Sequence, residues 1–297
     1  ISYTVHFFEV INGIPSFVYR NIPQELPLAC TQIFALPPAT ADGSFIFARN
    51  YDFPTVLKPF QMIRIDSPDD GYKHIGVSQY PWLSSHEALN EKGLCMGFNY
   101  GRCWKKADFN SKGVPSTILL QEAIETCATT QEAIDLIQKF PARANGGHYG
   151  IMDASGDTAV VETTRSRWAV RRPTEGILVH TNTYLTPEMQ DANLPMDVRF
   201  KMADMDFSPI ESPIRRLKRA SFLMEQKRGQ ITMDTLKGIL RDHDNGDPNG
   251  GGPDDFSLCT HGHSSDTLAS FIAFPKKKEL WYTLDHPCEN EYEKITL

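Results

Sequence analysis

The order of apolar patterns along the chain constrains the fold more than any single motif does. Four strand-like segments come first: "SFIFAR" (44–49), "MIRI" (62–65), "HIGVSQY" (74–80) and "GLCMGFNY" (93–100). They are apolar or alternating, and turn residues separate them. Asp42-Gly43 marks a tight turn ahead of the first. Two helical patterns follow. "STILLQEAIETCA" (116–128) carries apolar residues at helical spacing, and "TTQEAIDLIQKF" (129–140) opens with the capping-box pair Thr129 and Glu132 and stops at Pro141. Strand patterns return in "YGIMDA", "TAVVETT", "RWAVRR" and "GILVHTN". A helix is predicted over 212–226, with Ser212 as N-cap and Pro213 in the first turn, and another over about 232–242. Two strands close the chain, "TLASFIAF" (267–274) and "ELWYTL" (279–284), joined by a lysine-bearing turn. Strands and helices therefore come in blocks. This is not the strict alternation that builds a parallel sheet; it predicts largely antiparallel α+β structure with helices grouped on the outer faces.

Composition adds exclusions. The 297 residues are 40% hydrophobic and 23% charged, ordinary for a globular chain. A net charge of −7 disfavours nucleic acid or an anionic membrane as partner. No stretch approaches the roughly 20 apolar residues of a membrane helix. The opening "ISYTVHFFEV" lacks the basic start and long apolar run of a secretory signal. A cytoplasmic location is favoured, although a start at Ile1 rather than Met leaves a removed leader open. The six cysteines permit disulfides, which a chain of this length does not need, and Cys95 and Cys127 read as buried thiols. No CxxC pair or CxxC…HxxxH spacing appears, which argues against a structural zinc site. "DHDNGDPNGGGPDD" (242–255) fails the EF-hand pattern and reads as a long loop bordering a pocket.

The chemistry converges on "QELPLACTQIFALPPATADGSFIFARNYDF" (24–53). A cysteine at a chain's N-terminus carries its own general base, because its α-amine titrates near 8, close to the thiol. Such a site needs a cation for the thiolate, a carboxylate for the amine, and amide donors for an oxyanion. Arg49 and Asp52, at the end of the first strand after Cys30 and around an expected bend, supply the first two. An antiparallel hairpin would return them to Cys30. Asn99 and Asn182, ending later strands, supply amides. Read without further context, Cys30 is a buried thiol, Arg49 and Asp52 a surface ion pair, and the asparagines turn residues. A papain-like Cys–His reading using His148, His180, His243, His261 or His263 lacks the signature around its cysteine.

Six segments in order resemble the N-terminal-nucleophile cysteine hydrolases: "CTQ…DGSFIFARNYDF", "NEKGLCMGFNYG", "YGIMDASGDTAVVE", "LVHTNTY", "SPIRRLKRASFL" and "ELWYTLDHPCENEYEKITL". That superfamily includes choloylglycine hydrolase and penicillin V acylase. The match is best to the acyl-coenzyme A:6-aminopenicillanic acid acyltransferase-like branch, and it runs from about residue 30 to 297. The resemblance implies a four-layer αββα sandwich with two antiparallel sheets. It implies a pro-segment, 1–29, cut from a domain, 30–297, at Ala29–Cys30. It implies Cys30 as nucleophile, Arg49 beside the thiol, Asp52 holding the amine, Asn99 and Asn182 at the oxyanion and amine, and an arginine of the 212–226 helix. Arg216 fits best because it precedes Arg219 by three residues, with Arg215 as the alternative.

No metal or organic cofactor is implied. The substrate class is a small acyl amide, and a homo-oligomer is left open. Hydrolysis of a linear amide and acyl transfer from a thioester donor share one acyl-thioester, so the residues do not separate them. A silent binding scaffold is the reading from a different class, and the complete motif set argues against it. Phe53, Tyr100, Trp104 and Tyr184 flank the site residues in sequence and serve equally as acyl-pocket wall or as packing.

Overall fold

The structure is a computed structural model. It describes residues 29–297 apart from 81, 83, 102, 104–107, 109–112, 141–145, 203–204, 245, 247–251, 253 and 263–264, and apart from the side chains of 200–207. The segment 1–28, Trp104 and His263 therefore lie outside the described residues.

In chain order the elements are β1 (Ala29–Ala35), β2 (Ile46–Phe53), β3 (Gln61–Asp66), β4 (His74–Gln79), β5 (Ser85–Asn90) and β6 (Cys95–Gly101). Helices α1 (Ser116–Thr126) and α2 (Thr130–Lys139) follow, then β7 (Gly146–Met152), β8 (Thr158–Thr163), β9 (Trp168–Arg171) and β10 (Ile177–His180). A small hairpin, β11 (Phe200–Met202) and β12 (Met205–Phe207), leads to α3 (Glu211–Gln226) and α4 (Met233–Leu240). The chain then forms β13 (Asp266–Phe274), β14 (Glu279–Leu284) and β15 (Glu293–Thr296).

Two sheets result. One has the order β10-β1-β2-β13-β14-β15, and the other is a seven-stranded meander from β3 to β9. Their ladders are antiparallel throughout. Helices α1 and α2 cover the meander, and α3 and α4 cover the six-stranded sheet. The expected four-layer αββα sandwich is therefore what the chain builds.

Strand alternation explains how β2 serves two cores at once. Phe47 belongs to the core between the sheets, where its ring stacks on Phe34 at 4.2 Å and meets Phe271 edge-on at 5.1 Å. Ile46 and Ala48 face the other way, into the core beneath α3 and α4 with Ala220, Met224, Leu236 and Ile239. Arg49 therefore follows the inter-sheet side, and Asp52 follows the helix side. The chain does not turn between them: β2 continues as strand to Phe53, paired with β1 to Ala29 and with β13 to Asp266, and the irregularity at this point lies in β13, where the register shifts between Thr267 and Ala269.

The capping box of α2 forms as expected, with Thr129 accepting from the Glu132 amide and Glu132 bonding back. The Ser212 N-cap does not. Helix α3 starts at Glu211 after Ile210, and the Ser212 hydroxyl instead donates to the Asp255 carbonyl at 2.7 Å. Strand β5, "SHEALN", was missed because Ser-His-Glu reads as polar loop, yet all six residues are buried. Among the described residues no helix is long and apolar enough to cross a membrane.

Glycine matters where β6 and β7 pair. A Cβ at Gly147 would overlap the Phe98 ring. The substitution Gly147→Ala is expected to cost about 1–3 kcal/mol through overpacking. A thermal melt checks this, and an unchanged midpoint would contradict the ring placement.

Candidate active site

Cys30 is the second residue of β1, fully buried, and it pairs across the ladder with Tyr51 of β2. That pairing puts its side chain on the inter-sheet face, next to Arg49. The Arg49 guanidinium reaches the thiol with Nη2 at 3.1 Å from Sγ. The same group is held from three further directions. Nη1 pairs with Glu87, Nε donates to Asn99 Oδ1 at 3.1 Å, and Nη2 donates to the Phe98 carbonyl at 2.6 Å. Burial pushes the Cys30 thiol up to about 11 in the uncut chain, with Arg49 pulling against it and Asp52 and Glu87 adding to the rise.

The main chain of Cys30 is gripped separately. Its amide N–H donates to Asn182 Oδ1 at 2.8 Å. Its carbonyl accepts from Arg216 Nη1 at 2.7 Å and, more weakly, from Asn99 Nδ2 at 3.4 Å. Arg216 also donates to Thr31 Oγ1 at 2.9 Å and to Asn182 Oδ1 at 3.0 Å. Asn182 in turn donates through Nδ2 to the Tyr100 carbonyl at 3.0 Å, which fixes its amide orientation. The oxygen of Asn182 therefore faces the Cys30 nitrogen, and its nitrogen faces away.

The structure separates the two arginines left open by the sequence. Arg216 is fully buried and directed at β1. Arg215 is partly exposed, bonds Glu211 one turn back at 2.7 Å, and lies over Phe256. The basic run in this helix is thus split by helical geometry into one inward guanidinium and outward neighbours.

Asp52 pairs with Ala29 across the β1–β2 ladder, so its carboxylate stands beside the residue that precedes Cys30. Its Oδ1 accepts from Thr267 at 2.7 Å. Its Oδ2 is buried and, among the described residues, has no hydrogen-bond donor. Burial raises the Asp52 carboxyl, with Arg216 and the Thr267 bond acting against that. A buried carboxylate oxygen lacking a donor is costly unless something else satisfies it.

Two contributors were missed in the sequence. Glu87 of β5 is buried against Arg49, and burial lifts its carboxyl to about 7 while Arg49 pulls it down. The available signal was one acid in a six-residue segment whose polar start, Ser85-His86-Glu87, disguised it as loop. Thr267 is the second residue of β13 and was read only as strand. Of the four flanking aromatics, Phe53 and Tyr100 stack at 6.3 Å in the same core cluster as Cys30, joined by Tyr51, Trp82 and Phe98. Tyr184 lies apart in a smaller cluster with Cys103.

Two antiparallel sheets between helix layers make the αββα sandwich of the N-terminal-nucleophile hydrolases. A family model described as acyl-coenzyme A:6-aminopenicillanic acid acyl-transferase matches residues 39–289. The chain belongs to that family, and it is an enzyme of the N-terminal-nucleophile amidase and acyltransferase kind. Among solved structures it is similar to a Caenorhabditis elegans N-acylethanolamine-hydrolyzing acid amidase ortholog. That pair has 13% identity and a TM-score of 0.58, covering 83% of this chain and 93% of that one. A conjugated bile acid hydrolase variant from Clostridium perfringens gives 15% identity and a TM-score of 0.49, covering 90% of this chain and 97% of that one. Penicillin V acylase from Agrobacterium tumefaciens gives 16% and 0.49, covering 86% and 83%.

Proposed function

We propose that this chain is an autoprocessing cysteine amidohydrolase that cleaves linear, non-peptide amides through an acyl-thioester on Cys30. One observation carries the reading. The thiol and the nitrogen of the same residue are held by different side chains, Arg49 at 3.1 Å from Sγ and Asn182 at 2.8 Å from N. Any buried backbone N–H needs an acceptor, but β10 ends at His180, so here a side chain rather than a neighbouring strand's carbonyl supplies it.

The chain first cuts itself. Cys30 Sγ attacks the Ala29 carbonyl carbon, the amide bond to Cys30 N breaks, and the acyl group moves from nitrogen to sulfur. Water then hydrolyses this thioester, releasing residues 1–29 with a carboxylate at Ala29 and leaving Cys30 with a free thiol and a free α-amine. The new amine meets Asn182 Oδ1, and the Asp52 oxygen that lacks a donor supplies its second acceptor.

Turnover uses the same atoms. The amine takes the thiol proton, Arg49 favours the thiolate, and sulfur attacks the substrate carbonyl. Asn99 donates to the oxyanion. The protonated amine gives its proton to the leaving amine, and water resolves the acyl-thioester. Arg216 anchors the Cys30 carbonyl and the Asn182 amide, so that the nitrogen stays in register. The buried aromatic cluster of Tyr51, Phe53, Trp82, Phe98 and Tyr100 in the same core as Cys30 favours an apolar acyl group. The Caenorhabditis elegans neighbour is named for hydrolysing an acyl amide, the bond class assigned here.

Transfer of an acyl group to an amine is the second reading, favoured by the family's own name. Acid-quenched protein incubated with N-acyl amides is expected to carry the acyl mass on the peptide that begins at Cys30. Adding a primary amine during turnover then separates the readings. Free acid as the dominant product at millimolar amine supports hydrolysis, and N-acylated amine as the dominant product supports transfer. No acyl adduct and no product across a panel of chain lengths would contradict both.

A further inference from the structure

On the far side of the six-stranded sheet, three separate segments bring two cysteines and two histidines together. Cys259 and His261 flank Thr260 just before β13, His243 follows α4, and Cys288 lies in the turn between β14 and β15. Their ligand atoms all lie within 4.8 Å of one another. Cys259 Sγ is 3.6 Å from Cys288 Sγ and 3.5 Å from His261 Nε2, and His261 Nε2 is 3.2 Å from Cys288 Sγ. His243 Nε2 is buried and has no hydrogen-bond partner among the described residues.

Those spacings match a tetrahedral centre. With metal–sulfur bonds of about 2.3 Å and metal–nitrogen bonds of about 2.0 Å, the edges of the tetrahedron are roughly 3.8 Å for S···S and roughly 3.5 Å for S···N. A disulfide would bring the sulfurs to about 2.05 Å. Two thiolates and two imidazoles in tetrahedral array select zinc among the common divalent ions. They would also neutralise its charge, which suits a site sunk between packed segments.

We propose that Cys259, His261, Cys288 and His243 bind one structural zinc ion. Binding replaces the two thiol protons, which leave to solvent, and involves no change of oxidation state. Four protein ligands close the site, so the ion is structural and has no open position for substrate. This departs from the expectation drawn from linear spacing. The ligands are divided among three segments, and only Cys259 and His261 are near each other in sequence.

The surroundings are those of a clamp. Arg241, at the end of α4, donates to the Pro287 carbonyl at 2.7 Å and the Asn290 carbonyl at 3.1 Å, tying the His243 segment to the Cys288 turn. The Cys259 amide donates to the Asp242 carbonyl at 3.0 Å. His261 stacks on His286 at 3.7 Å, and His286 Nε2 is 3.3 Å from Asp266 Oδ1. The clamp also touches the active site. The Thr260 amide, between two ligands, donates to Thr267 Oγ1 at 2.9 Å, and that hydroxyl donates to Asp52 at 2.7 Å. The zinc therefore fixes the loop that orients Asp52.

The test is metal content of the full chain, purified under reducing conditions after growth with zinc. About one zinc per chain is expected, falling below about a tenth in Cys259→Ser/Cys288→Ser. If that variant does not fold, cobalt uptake by the unmodified protein answers the same question. Cobalt at one equivalent is expected to give thiolate charge-transfer and tetrahedral ligand-field absorption, displaced by zinc. Three results would overturn the proposal: no zinc or cobalt retained after desalting, zinc retained in full by the folded double variant, or Cys259 and Cys288 found disulfide-linked by mass. None of these readouts depends on catalysis or on cleavage at Ala29–Cys30.

Discussion

Replacing Arg49 by methionine is expected to abolish turnover and to lower stability together. Arg49 is completely buried, and its guanidinium bonds Glu87, Asn99, the Phe98 carbonyl and the Cys30 thiol. Methionine fills much of the space and satisfies none of these. Glu87 is left as a buried carboxylate without its cation, and one of its oxygens already has no donor among the described residues. Breaking a buried pair from one side costs about 3–5 kcal/mol. Relief comes only from protonation. Burial already holds the Glu87 carboxyl at about 7, well above the usual carboxylate range, and losing Arg49 drives it higher. A folded-state value above the unfolded one means that the native chain binds the extra proton, so stability falls as pH rises through that window. The deficit of Arg49→Met is therefore expected to widen from pH 5 to pH 8. Adding Glu87→Leu should restore most of the stability and none of the activity, because the thiolate still lacks its cation. Denaturant melts at the two pH values, beside turnover, check this. Turnover of the single variant within tenfold of normal would contradict the role given to Arg49.

Replacing Cys30 by alanine is expected to have the opposite signature, with activity lost and stability nearly kept. Alanine preserves the main-chain bonds to Asn182 and Arg216, and the Arg49–Glu87 pair stays intact. The lost sulfur contacts cost little beside that pair. Covalent catalysis, however, has no substitute atom, so turnover should fall by at least about a thousandfold. The two variants thus separate an atom that performs chemistry from a charge that both supports the fold and tunes the thiol. A Cys30→Ala protein that unfolds like Arg49→Met would mark Cys30 as a packing residue.

The layers were legible because they follow from local pattern. Apolar alternation and the Thr129–Glu132 box name strands and helices without tertiary information, and the block order follows. The inward guanidinium was half legible. "RRLKR" reads as a solvated face, and only the packing of α3 against β1 and β10 decides that Arg216 points in and Arg215 out. Glu87 was not legible, because its reason for being buried is a partner 38 residues away. The same holds for the Cys259–Cys288 cluster, whose members meet only when α4, β13 and the last turn converge. Local sequence rules record what neighbours dictate. Charge pairing and ligand sets across sheets are decided by the fold.

The most direct test is the intact mass of the purified, folded protein beside Cys30→Ala. A chain that splits between Ala29 and Cys30, while the alanine variant stays whole, is the expected result. It would show that the sulfur cuts its own chain and frees the amine on which the mechanism rests. An unmodified chain that remains whole while turning over an acyl amide would contradict it, because catalysis would then proceed without a free amine at Cys30.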